Sequence, residues 1–492
     1  MDGAAAELAA LLRSQVPLVA IETRDELSAR AMVLAAATQG RPPLPVFEWL
    51  VTEGLRRVDV DLGSSQRFNI DPTQALASIR DGIAGVYLLL DFHHYLDDPV
   101  NVRLLKDIAQ DYPRSPRTVV LVSHELELPE DLQAHSVRFE IAFPSREERR
   151  AIVDEAAAQW TRAHERLVRV DQAAVNSLVE NLAGLPLSDT RRLARAAVFD
   201  DGAITASDSP AVMRAKYELL NRGGILSFEY ETAGPADVAG MDRLKDWLAR
   251  RRPAFDGSAA GLDPPRGVLL LGVQGCGKSL AAKAAAGTFG VPLLRMDLAA
   301  IHDKYVGESE RRLRESLATA DVMAPCVVWI DEIEKGLADS EGDTGASRRV
   351  LGTFLTWLAE KRGRVFVVAT ANDVTSLPPE LIRKGRFDEV FFVDLPTAQA
   401  RAAIVAIHAT RRDVVLQPGD LVAIAEATEG FSGAELEQAI ASAQYAALAE
   451  GSAVGVAHVL AEVRQTRPLS VVMAERVGAL RQWAAGRTVP AQ

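Results

Sequence analysis

The chain has 492 residues, 48% hydrophobic and 25% charged, with a formal net charge of −12. That is a globular composition long enough for two to four domains. It excludes a transmembrane helix, because no apolar run approaches the roughly 20 residues that cross a bilayer, so no membrane partner is expected. It also weighs against nucleic acid, whose charge-tracking partners show a basic face. Two cysteines, Cys276 and Cys326, rule out a disulfide framework and suit a reducing, cytoplasmic setting. The opening "MDGAAAELAALLRSQ" carries acidic residues where a secretory signal needs a basic segment.

In chain order, β-rich apolar runs fall at 17–21, 45–50, 86–91, 118–123 and 137–143. A helical stretch follows the fifth, and 201–233 reads as a linker. A second series of runs falls at 267–271, 292–297, 326–331, 365–369 and 390–394, with helix-length segments between them. Strands alternating with helices predict an α/β fold with parallel sheets covered on both faces. After Pro396 the strands stop, and helical segments follow near 398–412, 419–428, 432–450 and 456–465; Pro468 introduces a last helix over about 470–486. The halves share a rhythm. "FPSREERRAIV" parallels "LPTAQARAAIV", and "LAGLPLSDTRRLARAA" parallels "TEGFSGAELEQAIASA", each of the latter pair reading as a glycine C-cap, a serine N-cap and a helix. Two copies of one unit account for this; the competing reading is the rhythm any two α/β domains share. The expected domains are 1–200, a linker at 201–233, an α/β subdomain at 234–397, a helical lid at 398–466, and a C-terminal helix and tail at 467–492.

Chemistry concentrates in the second half. "GVQGCGKS", Gly272 to Ser279, follows a strand and opens a helix. Such a loop presents unpaired N–H groups, glycines let it cradle an anion, and the helix dipole adds positive charge. Gly272, Gly275 and Gly277 permit close backbone approach, Lys278 reaches the β- and γ-phosphates, and Ser279 ligates Mg²⁺. "CVVWIDE" ends a strand in Asp331 and Glu332. In a phosphate-loop enzyme that aspartate holds Mg²⁺ through its water shell, and the glutamate deprotonates the attacking water. In "VVATAND", Asn372 ends the next strand, where its amide reaches the water or γ-phosphate. Arg383 and Arg386 precede the last strand and suit the spread charge of a transferring phosphoryl group. Their distance in sequence from the phosphate loop fits arginines given to a neighbour's site; the competing reading pairs them with Asp388 or Glu389.

These motifs, with "KYVGESE", "IRKGRFD" and "GFSGAE", resemble the AAA ATPases over about 234–465. The resemblance implies a P-loop fold with a five-stranded sheet and a helical lid, Mg²⁺-dependent ATP hydrolysis at subunit interfaces, and a homo-hexameric ring. It assigns Gly272, Gln274, Gly275, Cys276, Gly277, Lys278, Ser279 and Leu280 to the nucleotide, Ser279 and Asp331 to the metal, and Asp331 and Glu332 to the acidic pair. Asn372 matches the first sensor, and Arg383 and Arg386 match the arginine fingers. Asp237, Val238 and Ala239 match the segment beside the adenine. His408 matches a lid histidine near the nucleoside, and Gly433 and Ala434 match the lid position that lacks a sensor arginine. Tyr305, followed by Val306, matches an aromatic pore loop that grips protein substrate; the competing reading packs Tyr305 under its own loop. Along most of the chain the finer match is to the chloroplast reading-frame (Ycf) group of AAA ATPases, carried by "DVAGMDRLKDWLARR", "DEIEKGL", "SRRVLGTFLTWLAEK" and the tail "TRPLSVVMAERVGALRQWAAGR".

Two departures stand out. Gln274 and Cys276 replace the usual proline and small hydroxyl residue. Cys276 is expected to be tolerated as a small filler residue; the competing reading is redox control, because a helix N-terminus and Lys278 can lower a thiol pKa. Cys326 reads as core. In the first half the equivalent loop is Ile21 to Glu26, with no glycine or lysine and with Glu22, Asp25 and Glu26 to repel phosphate. There Asp91 is present but Phe92 stands where the catalytic glutamate would be, so this degenerate copy is expected to bind no nucleotide and to act as an adaptor. His93, His94, Asp97 and Asp98 raise a metal reading without a recognised ligand spacing. The leading functional expectation is an ATPase ring that remodels or translocates a protein. The alternatives are a nucleotide-gated scaffold or switch with slow turnover and, behind it, a nucleic-acid remodeller.

Overall fold

The computed structural model describes residues 2–39, 42–60, 68–205, 207–220, 225–229, 234–259, 261–298, 300, 308–337, 344–361, 363–383 and 385–492. The chain divides into two compact units, Met1–Ala206 and Ser207–Gln492.

In the first unit the parallel strands are Leu18–Glu22, Val46–Leu50, Gly85–Leu90, Arg117–Ser123 and Ser136–Arg138. Numbered by their order in the chain, they lie side by side as 2-3-4-1-5. Alternation sorts their side chains onto two faces. Leu18 and Ala20 pack with Trp49, Leu76, Ile79 and Leu105 on one face. Val19 and Ile21 pack with Leu8, Leu12, Met32 and Val33 on the other. Gly54–Arg57, an element not expected from the sequence, folds back antiparallel beside Val46–Leu50.

In the second unit the parallel strands are Gly267–Gly272, Leu293–Met296, Cys326–Ile330, Val365–Ala371 and Glu389–Val393. They adopt the same order, 2-3-4-1-5. Two further strands widen this sheet. Leu226–Glu229 lies antiparallel to Leu293–Met296 at one edge, and Val489–Pro490 lies parallel to Glu389–Val393 at the other.

These edges revise two expectations. The segment read as a linker contains the helix Asp208–Leu220 and the strand Leu226–Glu229, both within the second unit. Lys216 is fully buried there, and its ammonium donates to the Val322 carbonyl at 2.6 Å, at the C-terminus of the helix Glu308–Val322. Tyr217 donates its hydroxyl to Leu226 O at 2.6 Å. A lysine at the centre of a helix's buried face reads as solvent in a hydropathy pattern, which hides the helix's role. The last helix is broken into Leu469–Val472 and Ala474–Ala484, and the tail beyond it is structural. Ala491 is fully buried, donates to Phe392 O at 2.9 Å and accepts from Leu244 N at 3.2 Å.

After its fifth strand each unit turns through a proline into a helical bundle. Ser145 caps Arg146–His164 and Thr397 caps Ala398–Arg411. One turn in, each helix buries an arginine. Arg149 donates to Val179 O at 2.8 Å and Pro144 O at 2.7 Å; Arg401 donates to Ala425 O at 2.8 and 3.0 Å and to Pro396 O at 2.9 Å. The guanidinium fork thus pins the second bundle helix to the proline corner in both units. The N-cap parallel holds less well. Ser432 caps Gly433–Glu450 as expected, but Pro186 occupies the N-cap of Leu187–Phe199 and Ser188 lies inside the first turn.

Replacing Arg401 by Met removes charge-assisted bonds and strands two buried carbonyls. The second unit is expected to lose about 3 kcal/mol, measured by urea denaturation of the full chain, with Arg149→Met doing the same to the first unit.

Candidate functional site

The strand Gly267–Gly272 is buried along its length and releases the chain into a loop that starts the helix Lys278–Phe289. Gly275 (φ +78°) and Gly277 (φ +87°) adopt the left-handed region that favours glycine. A side chain at Gly275 would also lie 3.0 Å from Ser432 Oγ, because the lid helix Gly433–Glu450 packs onto the loop and Ala434 N donates to Gly275 O at 3.1 Å. Gly277 is the helix N-cap and supplies no side-chain cap, so the first-turn N–H groups are left to whatever enters the loop.

That loop borders a cavity of about 470 Å³. Gln274, Gly275, Cys276, Gly277, Lys278, Ser279 and Leu280 line one side; Asp237, Val238 and Ala239 come from the turn before the helix Asp242–Phe255. Asp331, Glu332 and Asn372 close it at the strand ends, and His408, Gly433 and Ala434 enter from the lid. Gly272 ends the strand and does not line the cavity. Met241, Ile404, Ile407, Arg411 and Glu437 also line it and were missed from sequence. The two isoleucines precede His408 at helical spacing, a signal that was available. The apolar wall of Val238, Met241, Leu280, Ile404 and Ile407 suits a flat aromatic base.

The polar end is a connected network. Lys278 is buried, and its ammonium donates to Gly272 O at 2.9 Å and Val273 O at 2.8 Å. Burial pulls its pKa down to about 8. Ser279 Oγ lies 3.4 Å from Asp331 Oδ1, which also accepts from Thr370 Oγ1 at 2.6 Å. Thr370 in turn accepts from Glu332 N at 3.0 Å. Glu332 sits in the left-handed region at φ 49°. Its carboxylate accepts from Asn372 Nδ2 at 2.7 Å and pairs with Lys335. Asn372 N donates to the buried Glu334 at 2.8 Å, and Asn372 Oδ1 is buried with no hydrogen-bond partner among the described residues. Burial pushes the Glu334 carboxyl above its ordinary range. In the lid, burial draws the His408 imidazole below its ordinary value, only partly offset by Glu437 at 3.7 Å.

Several expectations change on contact with the fold. Arg383 is exposed and Arg386 half-buried with its guanidinium on Leu355 O; neither lines the cavity of its own chain. Among the described residues neither pairs with Asp388 or Glu389, and Asp388 instead accepts from Arg266 N and Gly267 N at 2.6 and 2.9 Å. Tyr305 and Val306 lie outside the described residues. Cys276 is buried, and burial pushes its thiol up to about 12, outweighing the pull of Lys278, which favours the filler reading over redox control. Cys326 is core, as read. No group of three or more His, Cys, Asp or Glu among the described residues could hold a metal. His93 instead contacts Ser123 Oγ and lies against His94, and Asp98 caps the helix Pro99–Gln110. In the first unit the residue in the left-handed region after the third parallel strand is Asp91, at φ 53°, matching Glu332. The buried residue after it, Phe92, matches Ile333. Leu90 therefore stands where Asp331 stands, one position off the sequence reading.

A glycine loop on a helix N-terminus, facing two acids at the end of a parallel strand under a helical lid, defines a P-loop NTPase. The family model for the ATPase family associated with various cellular activities (AAA) matches residues 268–395, and the AAA+ lid model matches 419–458. SpoVK-like AAA ATPase models match the N-terminal domain at 4–141 and the second domain at 147–223, the latter running past the first unit into the helix Asp208–Leu220. The AAA domain-containing protein ycf46 of Pyropia yezoensis is 32% identical over 97% of this chain and 97% of its own. That of Guillardia theta is 33% identical over 96% and 93%. The proteasome-activating nucleotidase of Aeropyrum pernix is 41% identical over 39% of this chain and 49% of its own. The chain belongs to the ycf46 family of AAA ATPases.

Because the Cys276 thiol is held neutral, Cys276→Ala is expected to keep ATPase activity within about twofold. N-ethylmaleimide should label native Cys276 far more slowly than a free thiol, read by mass spectrometry at pH 8. A second expectation concerns Lys278. Its pKa is depressed in the free protein and rises when phosphate anions surround it, so affinity is full below pH 8 and falls as pH rises through that value. The ATP dissociation constant should rise about fivefold from pH 8 to pH 9, measured by calorimetry.

Proposed function

We propose that the second unit binds Mg²⁺·ATP in this cavity, hydrolyses it, and couples turnover to remodelling or translocating a protein. The observation that carries the reading is the unbroken network Ser279–Asp331–Thr370–Glu332–Asn372 beside an uncapped helix N-terminus. Lys278 exchanges its two carbonyl partners for phosphate oxygens, and the first-turn N–H groups take the rest of that charge. Ser279 and Asp331 offer hard oxygen donors 3.4 Å apart, the chemistry that suits Mg²⁺; the ion supplies charge neutralisation to the phosphates when bound. Glu332 takes the proton of the attacking water, and Asn372, with an unsatisfied buried oxygen, orients it.

Arg383 and Arg386 lie away from the cavity of their own chain, which supports a ring, homo-hexameric in this reading, where they complete a neighbour's site. The identity to a proteasome-activating nucleotidase supports a protein as the substrate. The first unit, with Leu90 in place of the metal-site aspartate and no glycine loop, takes no nucleotide and serves as a partner-binding module. A slow nucleotide-gated switch is the second reading. It is favoured by the Glu332 carboxylate, which is already engaged by Asn372 and Lys335.

Glu332→Gln is expected to bind ATP without hydrolysing it, and Lys278→Ala to bind none. Arg383→Ala or Arg386→Ala should slow turnover by up to roughly 10³-fold. Mixing either with Lys278→Ala chains should restore part of the activity if the arginines act across an interface. Mixed rings with no recovery at any ratio would place the whole site in one chain. A wild-type turnover that no protein substrate accelerates favours the switch.

A further inference from the structure

Both units bring two helix N-termini to the same place: the helix after the first parallel strand and the third helix after the proline corner. In the second unit these are Lys278–Phe289 and Gly433–Glu450, and both ends line the nucleotide cavity. In the first they are Glu26–Thr38 and Leu187–Phe199. A cavity of about 650 Å³ persists beside them, lined in part by Asp25, Ser28 and Leu187.

Between these two ends lies one carboxylate. Asp25 is 7% exposed. Its Oδ1 accepts from Ser28 N at 3.1 Å, in the first turn of one helix. Its Oδ2 accepts from Ser188 N at 2.9 Å, in the first turn of the other, 163 residues away. The second-unit counterpart of Ser188 is Ala434, also the second residue of its helix, and Ala434 N donates to the neutral Gly275 carbonyl. A carboxylate makes the stronger bond. Burial alone would raise the Asp25 pKa, yet the bonds from Ser188 and Ser28 outweigh it and the group titrates below its ordinary range. The surroundings disfavour a second anion: Glu26 is raised by burial and by the charges of Asp91 and Glu48.

We propose that Asp25 is a built-in substitute for a nucleotide phosphate, clamping the first unit's helical bundle onto its sheet so that this copy stays closed. The proposal rests on the reading that the first unit takes no nucleotide. A phosphate held at two helix N-termini leaves with the product; a side chain does not leave. The bundle of the first unit therefore has no ligand-driven opening, whereas the lid of the second touches its loop through a neutral carbonyl and the ligand itself.

Hydrogen exchange of the full-length chain tests this. Asp25→Ala should speed exchange in the first turns of both Glu26–Thr38 and Leu187–Phe199, each by about 2- to 30-fold, the equivalent of a lost cap. Added acetate should slow both again. Asp25→Asn keeps one acceptor oxygen and presents N–H₂ to the other amide, so only one of the two helices should loosen. Loosening confined to Glu26–Thr38 in Asp25→Ala would reduce Asp25 to an ordinary cap and overturn the clamp, as would no change in either variant. If Asp25→Ala does not fold, Asp25→Asn decides: loosening of Leu187–Phe199 supports the clamp, and loosening confined to Glu26–Thr38 overturns it. The underlying reading is checked separately with full-length Lys278→Ala: nucleotide binding by that variant would refute an empty first unit whatever the exchange data show.

Discussion

A helix N-terminus leaves backbone N–H groups with no partner inside the helix, and burying them unpaired is costly. This constraint falls on both halves of the chain at the same point of the same topology, and they meet it in opposite ways. In the second unit the N-cap is Gly277, which offers the helix no side-chain acceptor. In the first, a residue with a carboxylate stands directly before the helix and satisfies it internally, reaching across to a second helix as well. In the proposed reading, one copy is built around an exchangeable anion and the other around a permanent one.

The strand order explains why the other functional groups gather there. With the parallel strands arranged 2-3-4-1-5, the first strand lies between the fourth and fifth, and the C-terminal ends of the third, fourth and first face one crevice. The glycine loop leaves the first strand, Asp331 and Glu332 leave the third, and Asn372 leaves the fourth. Thr370, two residues before Asn372 and on the same face of its strand, ties the acids together by accepting from Glu332 N and donating to Asp331. The lid then contributes His408 and, through Ile404 and Ile407, part of the apolar wall. Each catalytic candidate is thereby held by backbone geometry, and only the last hydrogen bonds depend on side-chain choice.

Much of this was legible in the residues. The glycine loop, the acidic pair and Asn372 each occupy a few consecutive positions, so their chemistry is spelled out locally and their placement follows from being at strand ends. The repeated proline corner was also legible, and the buried arginines five residues beyond each proline give it a physical basis. What was not legible depended on partners distant in the chain. Lys216 reads as a surface residue until the Val322 carbonyl is beside it. The two-residue strand Val489–Pro490 has no periodicity to detect and exists because Glu389–Val393 offers it an edge. The neighbours of Cys276 in sequence left both a filler and an activated thiol open, and burial governs its ionisation. Asp91 and Phe92 were placed one position off because the strand end is set by the left-handed turn rather than by the apolar run.

The sequence alone determined the fold class, the family and the place of the glycine loop between a strand and a helix, because those rest on short contiguous patterns and on the alternation of apolar residues. The tertiary structure decided which ionisable groups are charged, which segment belongs to which unit, and that a single aspartate joins two helices of the first unit. Those outcomes are set by desolvation and by hydrogen bonds between residues far apart in the chain, and neither leaves a local trace in the order of amino acids.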